Sequence, residues 1–251
     1  MREFVVVIPA RLNSGRLDRK PLADICGQPM ILHTYQRALE ATSRDNIFVA
    51  TDDDEIMNMC SDANINCILT SQECRTGTDR IAEVSQKIKS RIYINLQGDE
   101  PIMEASNIVK MINAGINEPD SIINAWAKIN NEEEYVSRTI PKVVVTANDY
   151  LMYMSRSPIP GNKSNEFVKA KKQVCVYSFP FDALQFFSEN PHKTAIEQIE
   201  DIEILRFLEM GWSVKMIELS GNSIAVDTPE DLELVRNIMQ NRTRSMDHIE
   251  L

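Results

Sequence analysis

Short apolar runs rich in β-branched residues recur along the chain at Phe4–Ile8, Ile47–Thr51, Cys67–Leu69, Ile92–Leu96, Ile122–Ala127, Lys142–Val145 and Val174–Tyr177. Their length and composition predict buried strands. Between several of them the apolar positions shift to a helical period. Pro29–Glu40 opens with a proline, whose missing N–H costs little near the first turn of a helix. Asp53–Asp62 follows a strand directly, and Thr78–Lys89 places Ile81, Val84 and Ile88 on one face. Glu197–Met210 does the same with Ile199, Ile202 and Leu205–Leu208, and Pro229–Gln240 closes the series with Leu232, Val235 and Met239. Alternation of this kind predicts an α/β fold: a largely parallel sheet sandwiched by helices. Ligands in such sheets bind beyond the carboxyl ends of the strands, which directs the search for chemistry to the residues that follow each strand. Pro158–Lys172, polar with proline, glycine and lysines, reads as a loop or flap, and the charged segment 241–251 as a C-terminal tail.

The 251 residues, 43% of them hydrophobic, suffice for one large α/β domain. No apolar run approaches the ~18 residues of a transmembrane span, and the opening Met1–Pro9 is too short for a signal peptide, so the expectation is a cytoplasmic chain with no membrane partner. Five cysteines (Cys26, Cys60, Cys67, Cys74, Cys175) are odd in number, contain no CxxC, and read as reduced, small apolar residues. Three scattered histidines, His33, His192 and His248, do not suggest a metal site. A net charge of −10 argues against nucleic-acid binding. It leaves room for an anionic small substrate in a local cationic pocket.

That pocket has candidates. After the first strand, Arg11, Arg16, Arg19 and Lys20 fall in a loop with Asn13, Ser14 and Gly15, opposed only by Asp18. Backbone N–H groups of such a loop can face phosphate, with arginine forks and a lysine charge beside them. A solvated charged loop is the alternative, and the P-loop spacing is missing. Gln97-Gly98-Asp99-Glu100-Pro101 follows the strand Ile92–Leu96; a carboxylate there can hold Mg²⁺ among phosphate and water ligands, and Gly98 permits close backbone approach. In Ala225–Leu232, Thr228 predicts an N-cap for a helix beginning at Pro229 with acids in its first turn, which leaves Asp227 unexplained by capping. Arg75–Arg80 combines cations, hydroxyls and a glycine at a helix start, and Arg156 stands between hydroxyls and prolines in Tyr153–Pro160. No GxGxxG follows the first strand, which disfavours a dinucleotide site.

Seven segments in order resemble the 3-deoxy-manno-octulosonate cytidylyltransferases: IPARLNSGRLDRKPL (8–22), GQPMILHTYQRA (27–38), VATDDDEI (49–56), TGTDRIAEV (76–84), NLQGDEP (95–101), YMSRSPIP (153–160) and VDTPEDLELVR (226–236). The resemblance implies a Rossmann-like nucleotidyltransferase domain over 1–240 built on a mixed, largely parallel sheet, with 130–190 contributing a smaller sugar-binding and dimerisation lobe. It implies transfer of CMP from CTP to the anomeric hydroxyl of a 2-keto-3-deoxy sugar acid such as Kdo, with pyrophosphate released, for bacterial surface-polysaccharide synthesis. By motif position, Ala10, Arg11, Ser14, Gly15, Arg16, Lys20, Thr78, Arg80 and Gln97 look like the nucleotide site. Arg11, Lys20, Asp99 and Asp227 look catalytic, with Asp99 and Asp227 as the magnesium ligands, and a homodimer is implied. Gln97, Arg156, Gln173, Tyr177, Gln198 and Glu200 look like the sugar-acid site.

Two positions depart from the family pattern: Gln173 and Gln198 stand where histidines are usual. Glutamine does not titrate near neutral pH. This opens the expectation of an altered acceptor, such as 8-amino-Kdo or a sialic-type acid, beside retention of Kdo. A nucleotide-binding protein that has lost catalysis is the alternative of another class.

Overall fold

The computed structural model describes residues 1–12, 17–164 and 166–247. The chain runs β1 (Arg2–Ala10), a 3-10 turn (Lys20–Leu22), the short ribbon β2 (Asp24–Ile25) and β3 (Gln28–Pro29), α1 (Met30–Ala41), β4 (Ile47–Thr51), α2 (Asp54–Asp62), β5 (Cys67–Leu69), α3 (Gly77–Lys87), β6 (Ser90–Leu96) and α4 (Ala105–Asn117). It continues with β7 (Ile122–Lys128), α5 (Glu132–Val136), β8 (Lys142–Val145), β9 (Leu151–Ser155), β10 (Lys171–Pro180), α6 (Phe181–Glu189), α7 (Ala195–Glu200), α8 (Ile204–Glu209), β11 (Val214–Glu218) and α9 (Pro229–Asp247).

Among the described residues, the main sheet has the order β11-β7-β10-β6-β1-β4-β5, and β8 and β9 extend it through β10. Pairs β1–β4, β1–β6, β4–β5 and β7–β11 are parallel, whereas β10 runs antiparallel to both β6 and β7. The sheet is therefore mixed and largely parallel. Alternation on β1 sets the two layers. Val5 and Val7 pack on one face with Ile81 and Val84 of α3 and Leu184 and Phe187 of α6. Val6 and Ile8 pack on the other with Ile31 of α1, Ile56 of α2 and Ile108 and Met111 of α4. Burial on both faces explains why β1, β4 and β6 read as continuous apolar runs. A third, smaller core gathers Val226, Leu232 and Val235 from the α9 end against Ile25, Met30 and Ile102.

Two expectations about elements need correction. Glu197–Met210 is not one helix. Asp201 takes a left-handed conformation (φ 52°) that ends α7, and α8 restarts at Ile204. Across that break Arg206 donates from Nε and Nη2 to the Glu197 carboxylate at 2.7 and 2.8 Å, a buried fork that fixes the two short helices together. The terminal helix crosses the expected boundary at 240 and runs to Asp247. The capping expectation at Thr228 is met: its Oγ1 accepts from Asp231 N (3.2 Å) while the Asp231 carboxylate accepts from Thr228 N (2.9 Å).

Candidate active site

β1 and β6 are parallel neighbours, with Val7 opposite Asn95, so the loops that leave Ala10 and Leu96 emerge side by side. Gly98 lies against β1: a Cβ there would sit 2.7 Å from Pro9 O, so only glycine allows this approach. Buried Thr34 donates from Oγ1 to Gly98 O at 3.0 Å and fixes the turn from below. The segment before α9 is tied to it by Val226 N donating to Asp99 O at 2.9 Å. Three distant stretches thus converge. Lys20 Nζ, from the 3-10 turn, donates to Asp99 Oδ2 at 2.5 Å and to Asp227 Oδ1 at 2.8 Å. Burial pulls the Lys20 ammonium down, but the charges of Asp99 and Asp227 outweigh it and hold its pKa above the ordinary lysine value. Burial also pushes the neighbouring Glu100 carboxyl up to about 8, against the opposing effect of its bond from Ser223.

Two cavities meet at this pair of carboxylates. The first, about 370 Å³, is lined by Ala10, Arg11, Lys20, Arg75, Arg80 and Lys193 among others, so it is rich in cations. The second, about 560 Å³, is lined by Arg156, Lys172, Gln173, Tyr177 and the turn around Ser220. Gln97, Asp99, Asp201, Glu203 and Asp227 line both.

The expected residues are distributed as follows. Ala10, Arg11, Lys20, Arg80, Gln97, Asp99 and Asp227 come together on the first cavity. Arg80 is 2% exposed and anchored by Asp52 at 3.3 Å and by Thr70. Thr78, expected in the nucleotide site, is buried behind the first cavity, and its Oγ1 donates at 2.6 Å to Glu203 Oε2, a carboxylate that lines both cavities. Ser14, Gly15 and Arg16 lie outside the described residues. Arg156, Gln173 and Tyr177 line the second cavity with Gln97. The Arg156 guanidinium is largely engaged, donating to the main-chain carbonyls of Arg138, Thr139, Glu200 and Asp201. Glu200 and Gln198 line neither cavity. The Glu200 carboxylate accepts from Tyr153 Oη, Ser155 Oγ and Arg156 N and so braces β9 against α7, while Gln198 is exposed on α7.

Sequence reading missed Glu203, Lys193 and Lys172. Glu203 lay hidden in an acid-rich stretch read as one helix, and its position follows only from the break at Asp201. Lys172 pairs with Glu134 at 2.5 Å across the mouth of β10. No sequence spacing marks that pair.

Two carboxylates already share one cation, the Lys20 ammonium, which shows that they reach a common point. Among the described residues there is no group of three or more His, Cys, Asp or Glu suited to a metal. Two hard oxygen ligands, with phosphate and water for the rest, fit the way Mg²⁺ is held beside a triphosphate.

A family model described as cytidylyltransferase matches residues 5–218. The 3-deoxy-manno-octulosonate cytidylyltransferase of Escherichia coli is 36% identical over 239 residues, covering 95% of this chain and 97% of its own length. The mitochondrial 3-deoxy-manno-octulosonate cytidylyltransferase of Arabidopsis thaliana is 36% identical over 246 residues, covering 96% of this chain and 84% of its own. A solved structure of CMP:2-keto-3-deoxy-manno-octonic acid synthetase complexed with CTP superposes with a TM-score of 0.89 at 36% identity, over 96% of this chain and 99% of that one. No helix among the described residues is long and apolar enough to cross a membrane. A cationic cavity at the carboxyl ends of β1 and β6, and likeness over nearly the whole chain, agree: this chain is a nucleotidyltransferase and belongs to the cytidylyltransferase family, among the 3-deoxy-manno-octulosonate cytidylyltransferases.

Proposed function

We propose that the chain transfers CMP from CTP to the anomeric hydroxyl of Kdo or a closely related 2-keto-3-deoxy acid, with release of pyrophosphate. The observation that carries this reading is the meeting of two cavities, one cationic and one mixed, at Asp99 and Asp227. CTP belongs in the first and the acid in the second, so the α-phosphorus falls at their junction. The acid's hydroxyl attacks in line and pyrophosphate leaves toward Arg11 and Lys20, whose charges offset the negative charge that develops there. Asp99 and Asp227 would hold Mg²⁺, which when bound supplies charge neutralisation at the phosphates. Lys20 holds the two carboxylates in register and lines the first cavity, where its charge would face the phosphates. No side chain is needed as a covalent nucleophile; positioning and electrostatics carry the rate.

Five unpaired cysteines support a cytoplasmic setting, where the product serves surface-polysaccharide synthesis. A homodimer through the smaller lobe at 130–190 is supported by the exposed apolar side chains Val136 (51%), Met152 (60%) and Val168 (76%) of that segment. Pyrophosphate release from CTP with Mg²⁺ tests the reaction, run with Kdo, its 8-amino analogue and a sialic acid as acceptors. Kdo turnover by the wild type, and loss of kcat by orders of magnitude in Asp99→Asn and Asp227→Asn, are expected. Near-normal turnover in both variants would refute the metal assignment.

A further inference from the structure

Strand β10 carries an irregularity where its register with β7 slips between Val174 and Tyr177. Asn124 of β7, fully buried, fills it: Nδ2 donates to Val174 O at 3.1 Å and to Val176 O at 2.8 Å. Main-chain carbonyls only accept, so the nitrogen end of this amide is fixed against them. Asn124 Oδ1 must then face the other way, where it accepts from Gln173 Nε2 at 3.1 Å. The same Nε2 donates to Tyr177 Oη at 2.9 Å. A flipped Gln173 would set two oxygens against each other, so its amide has one permitted orientation. Both of its N–H groups are spent inward, and among the described residues nothing donates to Oε1.

We infer that Asn124 is a positioning residue that locks Gln173 as a hydrogen-bond acceptor on the wall of the second cavity, so that this enzyme selects acids carrying a donor group, hydroxyl or ammonium, opposite Gln173. The inference rests on the acceptor reading of that cavity. Gln173 and Tyr177 line it, while Asn124 acts from behind and does not. Tyr177 Oη accepts from Gln173, which leaves its own proton for the cavity side or for a sulfur neighbour. Burial holds the Tyr177 pKa well up, so it keeps that proton. The wall therefore offers a fixed acceptor, Gln173 Oε1, which does not titrate near neutral pH. A buried acceptor left unpaired by a substrate lacking the donor penalises that substrate, which is how a polar site discriminates more sharply than an apolar one.

The test is steady-state kinetics of the full chain with CTP and a set of acids: Kdo, its mono-deoxy and mono-O-methyl derivatives, and 8-amino-Kdo. The wild type is expected to disfavour one deoxy and the corresponding O-methyl derivative by about 10- to 100-fold in kcat/KM. Preference for the 8-amino compound over Kdo would assign the donor as ammonium, and preference for Kdo as hydroxyl. Gln173→Met is expected to raise the acceptor KM about tenfold or more, to abolish that discrimination, and to leave the KM for CTP within about threefold. Asn124→Ala is expected to abolish the discrimination likewise, although it touches no substrate. If it does not fold, Asn124→Ser takes its place, and discrimination retained by a folded Asn124 variant overturns the positioning role. Turnover by the wild type without discrimination, or discrimination that survives Gln173→Met, overturns this inference and leaves the reaction standing. No turnover of any acid overturns the acceptor reading and the inference with it.

Discussion

Lys142 is the buried cation whose removal should be felt furthest. It is fully buried, and its Nζ donates to the carbonyls of Ser137, Ile140 and Arg156, the last two at 2.7 Å. Three N–H donors thus meet three main-chain acceptors, and the ammonium ties the loop before β8 to the end of β9. Lys142→Met keeps most of the stem's packing and removes all three bonds. Hydrogen bonds to a charged donor are worth about 1.5–3 kcal/mol each. Arg138 and Thr139 are exposed, so the loop can admit water and recover part of the loss, and the expected destabilisation is about 3–5 kcal/mol. Urea denaturation reads it as a lowered midpoint at unchanged slope. Thr139, Ile140 and Pro141 line the second cavity, so the acceptor KM should rise while the KM for CTP holds. The same group gives a pH signature. Burial, with the charges of Arg138 and Arg156, pulls the Lys142 ammonium down to about 8. Between pH 8 and the ordinary lysine value of about 10.4, the unfolded chain keeps a proton that the folded chain has released. The stability from this group therefore rises with pH across that window and is lost as pH falls through 8. Lys142→Met should lack that rising limb. A change below about 1 kcal/mol at pH 7, with the acceptor KM untouched, would refute the role given to this lysine.

Other substitutions test the frame of the site. Gly98→Ala places a Cβ 2.7 Å from Pro9 O, a backbone atom that cannot yield without separating β1 from the Asp99 turn; kcat should fall at least about tenfold, and wild-type turnover would show that the approach is slack. Gly115→Ala drives a Cβ into Ser178 Oγ and within 2.6 Å of Ile92 Cδ1, where α4 crosses the sheet, and should cost about 1–3 kcal/mol in urea denaturation with kinetics preserved. Thr228→Ala removes the cap of α9 and should cost about 1 kcal/mol, read as a melting temperature lower by about 2–4 °C.

The two-sided burial of β1, β4 and β6 made those strands legible, because a run such as Val5-Val6-Val7-Ile8 has no polar face to disguise it. Ile47–Thr51, Cys67–Leu69 and Lys142–Val145 coincide with the expected strands. β9 is not legible because Leu151-Met152-Tyr153-Met154 holds no β-branched residue, and β11 because Lys215 and Glu218 interrupt its apolar residues, so it forms no continuous apolar run. α4 carries a helical period in Ile108, Met111, Ile112 and Gly115 that is legible in the sequence. The break between α7 and α8 was not readable. Apolar spacing continues through Asp201, and what stops the helix is tertiary: Glu203 is drawn to Thr78 and Arg206 back to Glu197.

The site itself follows a different logic from the elements that carry it. Lys20 lies 79 residues from Asp99 and 207 from Asp227, and no local pattern relates positions so far apart. Asp99 has a bland local explanation available in an acidic turn, whereas the helix start accounts for Thr228–Asp231 and not for Asp227. Asp231 and Thr228 satisfy the capping needs of α9 between them. Capping does not draw on the Asp227 carboxylate, which instead accepts from Lys20 Nζ. The same reasoning holds at Gly98, where the turn needs a residue without a side chain only because Pro9 lies against it. What marks these residues as a site is that local structure is complete without them, so that their placement is determined by one another and by what enters between.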